Sequence, residues 1–305
     1  MSEALPAVLA AVPQPSKRTY TSGMRQLVTS LGDRELDSVG IVELRALRDS
    51  IEQHTGAHIV ARAVERGRRL RSYDPQSFGQ GAASNFVMAV RFFFRFAVDV
   101  GWLSSSPAET LKSPRRHPGL RRPLLPEELA EIWTVATTTG HDPELDELIL
   151  TFLRHTAARR EGSLNLTVGH VQPSNDRVLL SEKYGHTRVL PLRRDVGERL
   201  LTFAASRGSA APADPIFRYR SGRPLTRRRF NSLFDRIDRH TDFTEELDIS
   251  AHWIRHTTLA DIAAVSDVRV AETYAGHSLN GLGVIGRYTA VTFDDLQDAY
   301  QAVFP

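Results

Sequence analysis

There is no cysteine anywhere in this 305-residue chain. That absence excludes a disulfide framework, a thiolate zinc site and a cysteine nucleophile together, and it is compatible with a reducing cytosol. Lysine is scarce as well, occurring only at positions 17, 112 and 183. The basic charge therefore rests on arginine, whose planar guanidinium suits bidentate contacts to phosphate. Long hydrophobic runs are missing. The apolar patch from Ala7 to Val12 has neither the basic leader nor the length of a signal peptide, and no stretch approaches a membrane span. A soluble, cytoplasmic protein with no membrane partner is expected. Net charge is small too: the formal +3 permits a nucleic-acid partner without demonstrating one. What remains is ordinary for a globular protein, with 41% hydrophobic and 25% charged residues, and enough chain for two domains.

Residues 1–15, rich in Ala and Pro, read as a disordered lead-in. From Ser16 the pattern turns helical, which sets a first domain at 16–112. Its clearest helix runs from about Ala82 to Val100, with Phe86, Val90, Phe93, Phe94 and Ala97 at helical spacing and Gly101 as its stop. The other face of that helix carries Arg91 and Arg95, and Arg66, Arg68 and Arg69 form a basic cluster upstream. Residues 113–124 combine Pro, Gly and four arginines without apolar periodicity. They read as a linker that doubles as a basic strap. The second domain, 125–305, opens with a helix at Pro126 and another at Pro143. A small antiparallel sheet follows, with strands at Leu166–Val171, Arg177–Leu180 and Arg188–Leu192. Helices resume at Asp195, Thr226 and about His252, and a last one spans Phe293–Val303. The fold class is mainly α with a small antiparallel β-sheet.

Four groups of residues in the second domain carry the chemistry. They are Thr156-Ala-Ala-Arg159-Arg160-Glu161-Gly162, the hairpin Glu182-Lys183 to Arg188-Val-Leu-Pro-Leu192, His252-Trp-Ile-Arg255, and Gly276-His277 followed by Arg287-Tyr288. Taken in order, this set resembles the tyrosine recombinase (phage integrase) family. That family shows a T-G-x-R box, a lysine hairpin ending in R-x-x-P-L, an H-x-x-R helix, an L-G-H box and a terminal tyrosine. The resemblance runs from about Ser16 to the C-terminus. It implies a two-domain C-shaped clamp on double-stranded DNA, with a helical (SAM-like) core-binding domain and a catalytic domain. It also implies a homotetramer in the synaptic complex, sometimes with an accessory directionality factor.

The implied activity is site-specific strand cleavage and rejoining through a 3′-phosphotyrosyl intermediate, without metal, ATP or other cofactor. Tyr288 is the candidate nucleophile, and Arg159 and Arg255 are candidate phosphate clamps. Lys183 is placed to protonate the leaving 5′-oxygen. His252 and Arg255, three apart on a helix, can reach one phosphate. The resemblance gives His252 an acid–base role and His277 a hydrogen bond to the phosphate. Candidate DNA contacts are Arg66, Arg68, Arg69, Arg91 and Arg95 in the first domain and Arg227, Arg228 and Arg229 in the second. Two positions depart from the family pattern: Ala157 stands where glycine is usual, and Gly162 stands where an acid is usual, with Glu161 one residue early.

Two further signals are decoys. Gly281-Leu-Gly283-Val-Ile-Gly286 fits a dinucleotide fingerprint, but no strand precedes it. His252 and His256 have zinc-protease spacing, but Trp253 stands where the general-base glutamate belongs. Two other readings share much of the pattern. A type IB topoisomerase would use the same chemistry without sequence-specific synapsis, and a catalytically silent DNA-binding protein would keep only the fold. The compact first domain argues against the first, and the complete residue set against the second.

Overall fold

The computed structural model describes residues 1–65, 78–115, 122–181, 187–241, 243, 249–276 and 291–305. The chain divides into two units, Met1–Leu120 and Arg121–Pro305. Each has its own hydrophobic core.

The first unit is helical: α1 (Leu5–Ala11), α2 (Lys17–Leu31), α3 (Ile41–Glu65) and α4 (Gln80–Asp99). The expected disordered lead-in is corrected here. Val8 and Val12 are buried in the unit's core, and Pro6 stands in the first turn of α1, where a missing N–H costs nothing. Tertiary burial, rather than any periodic pattern, orders this segment. Helix α4 corresponds to the expected aromatic helix. It is also long and apolar enough to cross a membrane by length and composition, contrary to the expectation that no stretch approaches that length. Its apolar side chains Phe86, Val87, Val90, Phe93 and Phe94 are buried in the core of the unit, so its hydropathy is that of a core helix.

Glycine decides how closely α2 and α4 approach. A Cβ placed on Gly23 would lie 2.7 Å from Ala89 Cβ and 3.3 Å from Phe86 Cα. Gly23→Ala gains helix propensity, roughly 1 kcal/mol, but must push two backbones apart. A net loss of about 1–2 kcal/mol in urea unfolding is expected.

The second unit surrounds α6 (Pro143–Thr156), which is buried along most of its length. Helix α5 (Pro126–Thr138) packs beside it, and the short α7 (Arg160–Leu164) follows it. The sheet is three-stranded and antiparallel, in the order β1 (Val171–Gln172), β2 (Arg177–Ser181) and β3 (Thr187–Pro191). Register is set by pairs such as Val178 with Leu190 and Leu180 with Arg188, with Val178, Leu180 and Leu190 facing the core. The first strand is shorter than expected. Val168–His170 form a 3-10 turn, and Thr167 makes only an isolated bridge to Pro215. Helices α8 (Arg194–Ser206), α9 (Arg227–His240), α10 (Ala251–Val265), α11 (Val268–Ala275) and α12 (Phe293–Val303) complete the unit. At the linker's end, Leu124 is buried in this unit's core, and its N–H donates to Thr257 Oγ1 at 3.0 Å. Arg122 forms an ion pair with Glu128. Residues 122–124 are thus anchored rather than free tether.

The stripe on α12, Leu296, Ala299 and Tyr300, is buried within its own unit.

Candidate active site

The turn between α6 and α7 is unusual because of one residue. Ala157 caps α6 in the left-handed region, with φ 47° and ψ 31°, and is fully buried. This is where the family pattern has glycine, and the reason is conformational: a Cβ is disfavoured at positive φ. The turn sends the chain back extended through Arg159 (φ −73°, ψ 156°) into α7. Ala157→Gly is expected to stabilise the fold by roughly 0.5–1 kcal/mol, since relief of strain outweighs the added freedom of the unfolded chain. Thermal and urea unfolding would check this.

Helix α10 supplies the second half of the site. Its outer positions leave His252 exposed in the first turn, while Arg255, one turn on, is only 3% exposed. The burial of a guanidinium requires donors to be matched by acceptors. Nη1 of Arg255 donates to the carbonyl of Ala157, and Nη2 donates to the carbonyl of Ala275 at 2.6 Å. Arg188 Nη2, from β3, reaches the same Ala157 carbonyl at 3.4 Å. Helix α10 is fixed against α6 by polar contacts. Thr258 Oγ1 donates to the Arg154 carbonyl at 2.8 Å, and Arg154 Nη2 meets Asp261 at 2.5 Å. These contacts set the distance between the α6–α7 turn and α10. Arg159, His252 and Arg255 consequently line one concavity of about 430 Å³.

Glu161, the acid that comes one residue early, is engaged at the wall of this concavity. It pairs with Arg227 at 2.8 Å and lies 3.6 Å from Arg160 Nε, while Gly162 is buried. Its carboxylate holds the Arg227 guanidinium above its usual range.

Of the other expected site residues, Lys183, His277 and Tyr288 lie outside the described residues, as do Arg66, Arg68 and Arg69. Arg91 and Arg95 are exposed on α4 in the first unit. Arg227 and Arg228 are exposed at the start of α9. Arg229 is a correction. It turns inward, with its side chain 13% exposed, and bonds the fully buried Asp146. Phe230, Leu233, Phe234 and Ile237 form the buried stripe of α9, and Arg229 flanks it.

Two nearby tyrosines have committed hydroxyls. Tyr274 is fully buried and donates to the His155 carbonyl. Tyr300 lies 2.7 Å from His155 Nδ1 and accepts from the Arg193 N–H at 3.0 Å. Burial raises the pKa of both phenols above the ordinary tyrosine range.

Sequence reasoning missed the two carbonyls that hold Arg255, which no residue type announces. It also missed a groove of about 690 Å³ between α2 and α3, lined by Lys17, Arg18, Arg25 and His54 with several hydroxyls. The spacing of Lys17, Arg18 and Arg25 along one side of α2 was the signal available for it.

Residues 122–294, more than half of the chain, match the Phage integrase family. The tyrosine recombinase XerC of Pelobacter propionicus is 24% identical over 221 residues, covering 72% of each chain. Two solved structures have a similar fold. One is the XerH site-specific recombinase bound to a palindromic difH substrate (TM-score 0.64, 16% identity, 94% of this chain and 78% of that one). The other is a lambda integrase tetramer bound to a Holliday junction (TM-score 0.63, 15% identity, 92% and 75%). With a family match over most of the second unit and the arginine–histidine concavity inside it, the chain belongs to the phage integrase family.

Proposed function

We propose that this chain is a site-specific recombinase that breaks and rejoins double-stranded DNA through a 3′-phosphotyrosyl intermediate on Tyr288. The observation that carries this reading is the convergence of Arg159, His252 and Arg255, from segments far apart in sequence, on one concavity. Two guanidiniums and an imidazole facing a common space suit a phosphodiester whose charge grows in the transition state.

In the proposed reaction the Tyr288 oxygen attacks phosphorus as the bond from phosphorus to the 5′-oxygen breaks. His252 takes the phenolic proton, and Lys183 protonates the departing 5′-oxygen. Arg159 and Arg255 hold the non-bridging oxygens, with His277 adding a hydrogen bond. One phosphodiester is exchanged for one phosphotyrosyl ester, so a 5′-hydroxyl can reverse the attack on the same or another strand. The balance needs no nucleotide and no redox partner. The engaged hydroxyls of Tyr274 and Tyr300 support Tyr288 as the nucleophile.

In this reading residues 1–112 form the core-binding domain, 113–121 the linker and 122–305 the catalytic domain. Arg66, Arg68, Arg69, Arg91, Arg95, Arg227 and Arg228 serve phosphates, and so do Lys17, Arg18 and Arg25 in the α2–α3 groove. Four protomers would join two sites, as in the tetramer to which the fold is similar.

The test is covalent capture. Nicked duplexes prepared from DNA of the source would be incubated with the protein, denatured in SDS, sequenced and mapped by peptide mass spectrometry. Attachment through Tyr288 at one recurring sequence supports the reading. Attachment through another residue overturns the nucleophile, and adducts scattered over all sequences point to a topoisomerase.

A further inference from the structure

His155 belongs to none of the motifs described above, yet three segments of the site meet on it. It lies in the last turn of α6, four residues before Arg159. Its carbonyl accepts from Tyr274, which sits on α11 one residue before Ala275, the residue whose carbonyl holds Arg255. Its ring faces α12: Nδ1 lies 2.7 Å from Tyr300 Oη, and the ring centroid is 4.3 Å from that of Phe304. The Tyr300 hydroxyl accepts from the Arg193 N–H, so its own proton is directed to Nδ1. Burial, with Arg154 beside it, lowers the pKa of the His155 ring to about 4, so the ring stays neutral and its lone pair is available.

The consequence lies in the chain order. Helix α11 ends at Ala275 and α12 begins at Phe293. Between them the sequence carries His277 and Tyr288. The helix before that segment is tied to the His155 backbone, and the helix after it is tied to the His155 ring. We infer that His155 is a positioning residue that, through Tyr274 and Tyr300, registers the tyrosine-bearing segment against Arg159. This rests on the reading of Tyr288 as nucleophile. A nucleophile displaced by a fraction of an ångström from in-line attack loses rate steeply, while the fold and the DNA contacts are untouched.

Single-turnover cleavage of a nicked suicide duplex, at saturating protein and well below the unfolding temperature, tests it. Tyr300→Phe deletes only the hydroxyl and is expected to slow Tyr288 adduct formation about tenfold, with DNA affinity unchanged. His155→Leu should do the same. His155→Gln, whose side-chain carbonyl can accept the Tyr300 proton, should recover most of the rate. Leu296→Ala, which loosens α12 packing without touching the hydroxyl, should lower the melting temperature more than Tyr300→Phe while keeping the wild-type cleavage rate. Wild-type rates in Tyr300→Phe and His155→Leu would overturn the inference. So would rates that track melting temperature across all four variants, because α12 would then matter only for stability. Absence of a Tyr288 adduct in the wild-type protein would instead overturn the nucleophile assignment, which separates the two failures.

Discussion

Replacing Arg255 with lysine is expected to slow covalent capture of a nicked duplex by a factor of about 10²–10³, even though the positive charge is kept. The reason lies in geometry. Arg255 sits almost fully buried, with one terminal nitrogen on the Ala157 carbonyl and the other on the Ala275 carbonyl. A guanidinium can span two carbonyls and still present planar N–H groups to a phosphate, because it has five donors in a fixed fork. A lysine ammonium is a point charge at the end of a flexible stem. It can satisfy one carbonyl or approach the phosphate, but it cannot bridge the α6–α7 turn to the end of α11. On the proposed role of Arg255 the substitution loses transition-state stabilisation, and it also releases the two backbone segments, at Ala157 and Ala275, that the guanidinium holds. Single-turnover cleavage measures the first effect. Melting temperature measures the second, with a fall of several degrees expected from unsatisfied buried carbonyls. A lysine variant that cleaves at the wild-type rate would remove Arg255 from the clamp.

How far the sequence reveals this arrangement depends on where each signal resides. The last helix is legible to the residue, Phe293–Val303, because Thr292 and Asp295 form a capping box and Leu296, Ala299 and Tyr300 keep a 3.6-residue period. The starts of α5 and α6 are legible for a similar reason, since a proline at the first helical position marks each. Helix α1 is not, because seven residues of Leu, Ala, Val and Pro have no polar face to reveal a period, and only packing in the first unit orders them. Within the site, the residue types Arg159, His252 and Arg255 are readable as a set, and the structure brings them to one concavity. Their support is not readable. The carbonyl of Ala157 becomes an acceptor for Arg255 only through a left-handed turn, and His155 becomes a junction only through contacts from Tyr274 and Tyr300, both more than a hundred residues away. Arg229 failed for a different reason. In a run of three arginines only helical phase separates the inward member from the outward ones, and its buried partner, Asp146, sits on another helix.

That buried partner leads to the largest expected loss of stability. Asp146 is 0% exposed, held by Arg229 on one oxygen and by Arg236 Nη2 at 2.5 Å on the other. Arg236 Nε also donates to Thr139 at 2.9 Å. Gly140, at φ 82°, lies so close over this guanidinium that a Cβ there would come within 2.5 Å of Nη1. Desolvation pushes the Asp146 carboxyl above its usual range, and the two guanidiniums pull against that push. Each ion is tolerable in the interior only because of the others. Asp146→Asn keeps the shape but leaves two nearly buried cations without their anion. Breaking such a network from one side costs about 3–5 kcal/mol, to be read as a fall in the urea midpoint at unchanged slope. Replacing all three charged groups with apolar residues of similar volume should recover much of that loss, since the desolvation of the whole network disappears with it. The comparison also bears on function, because the network ties α9 to α5 and α6, and α9 presents Arg227 at the concavity and Arg228 exposed next to it in sequence. If the apolar triple variant folds stably yet binds DNA as tightly as wild type, the network supplies stability alone. If it folds stably but binds more weakly, with a shallower salt dependence, the ions also set the orientation of the arginines proposed to meet phosphate.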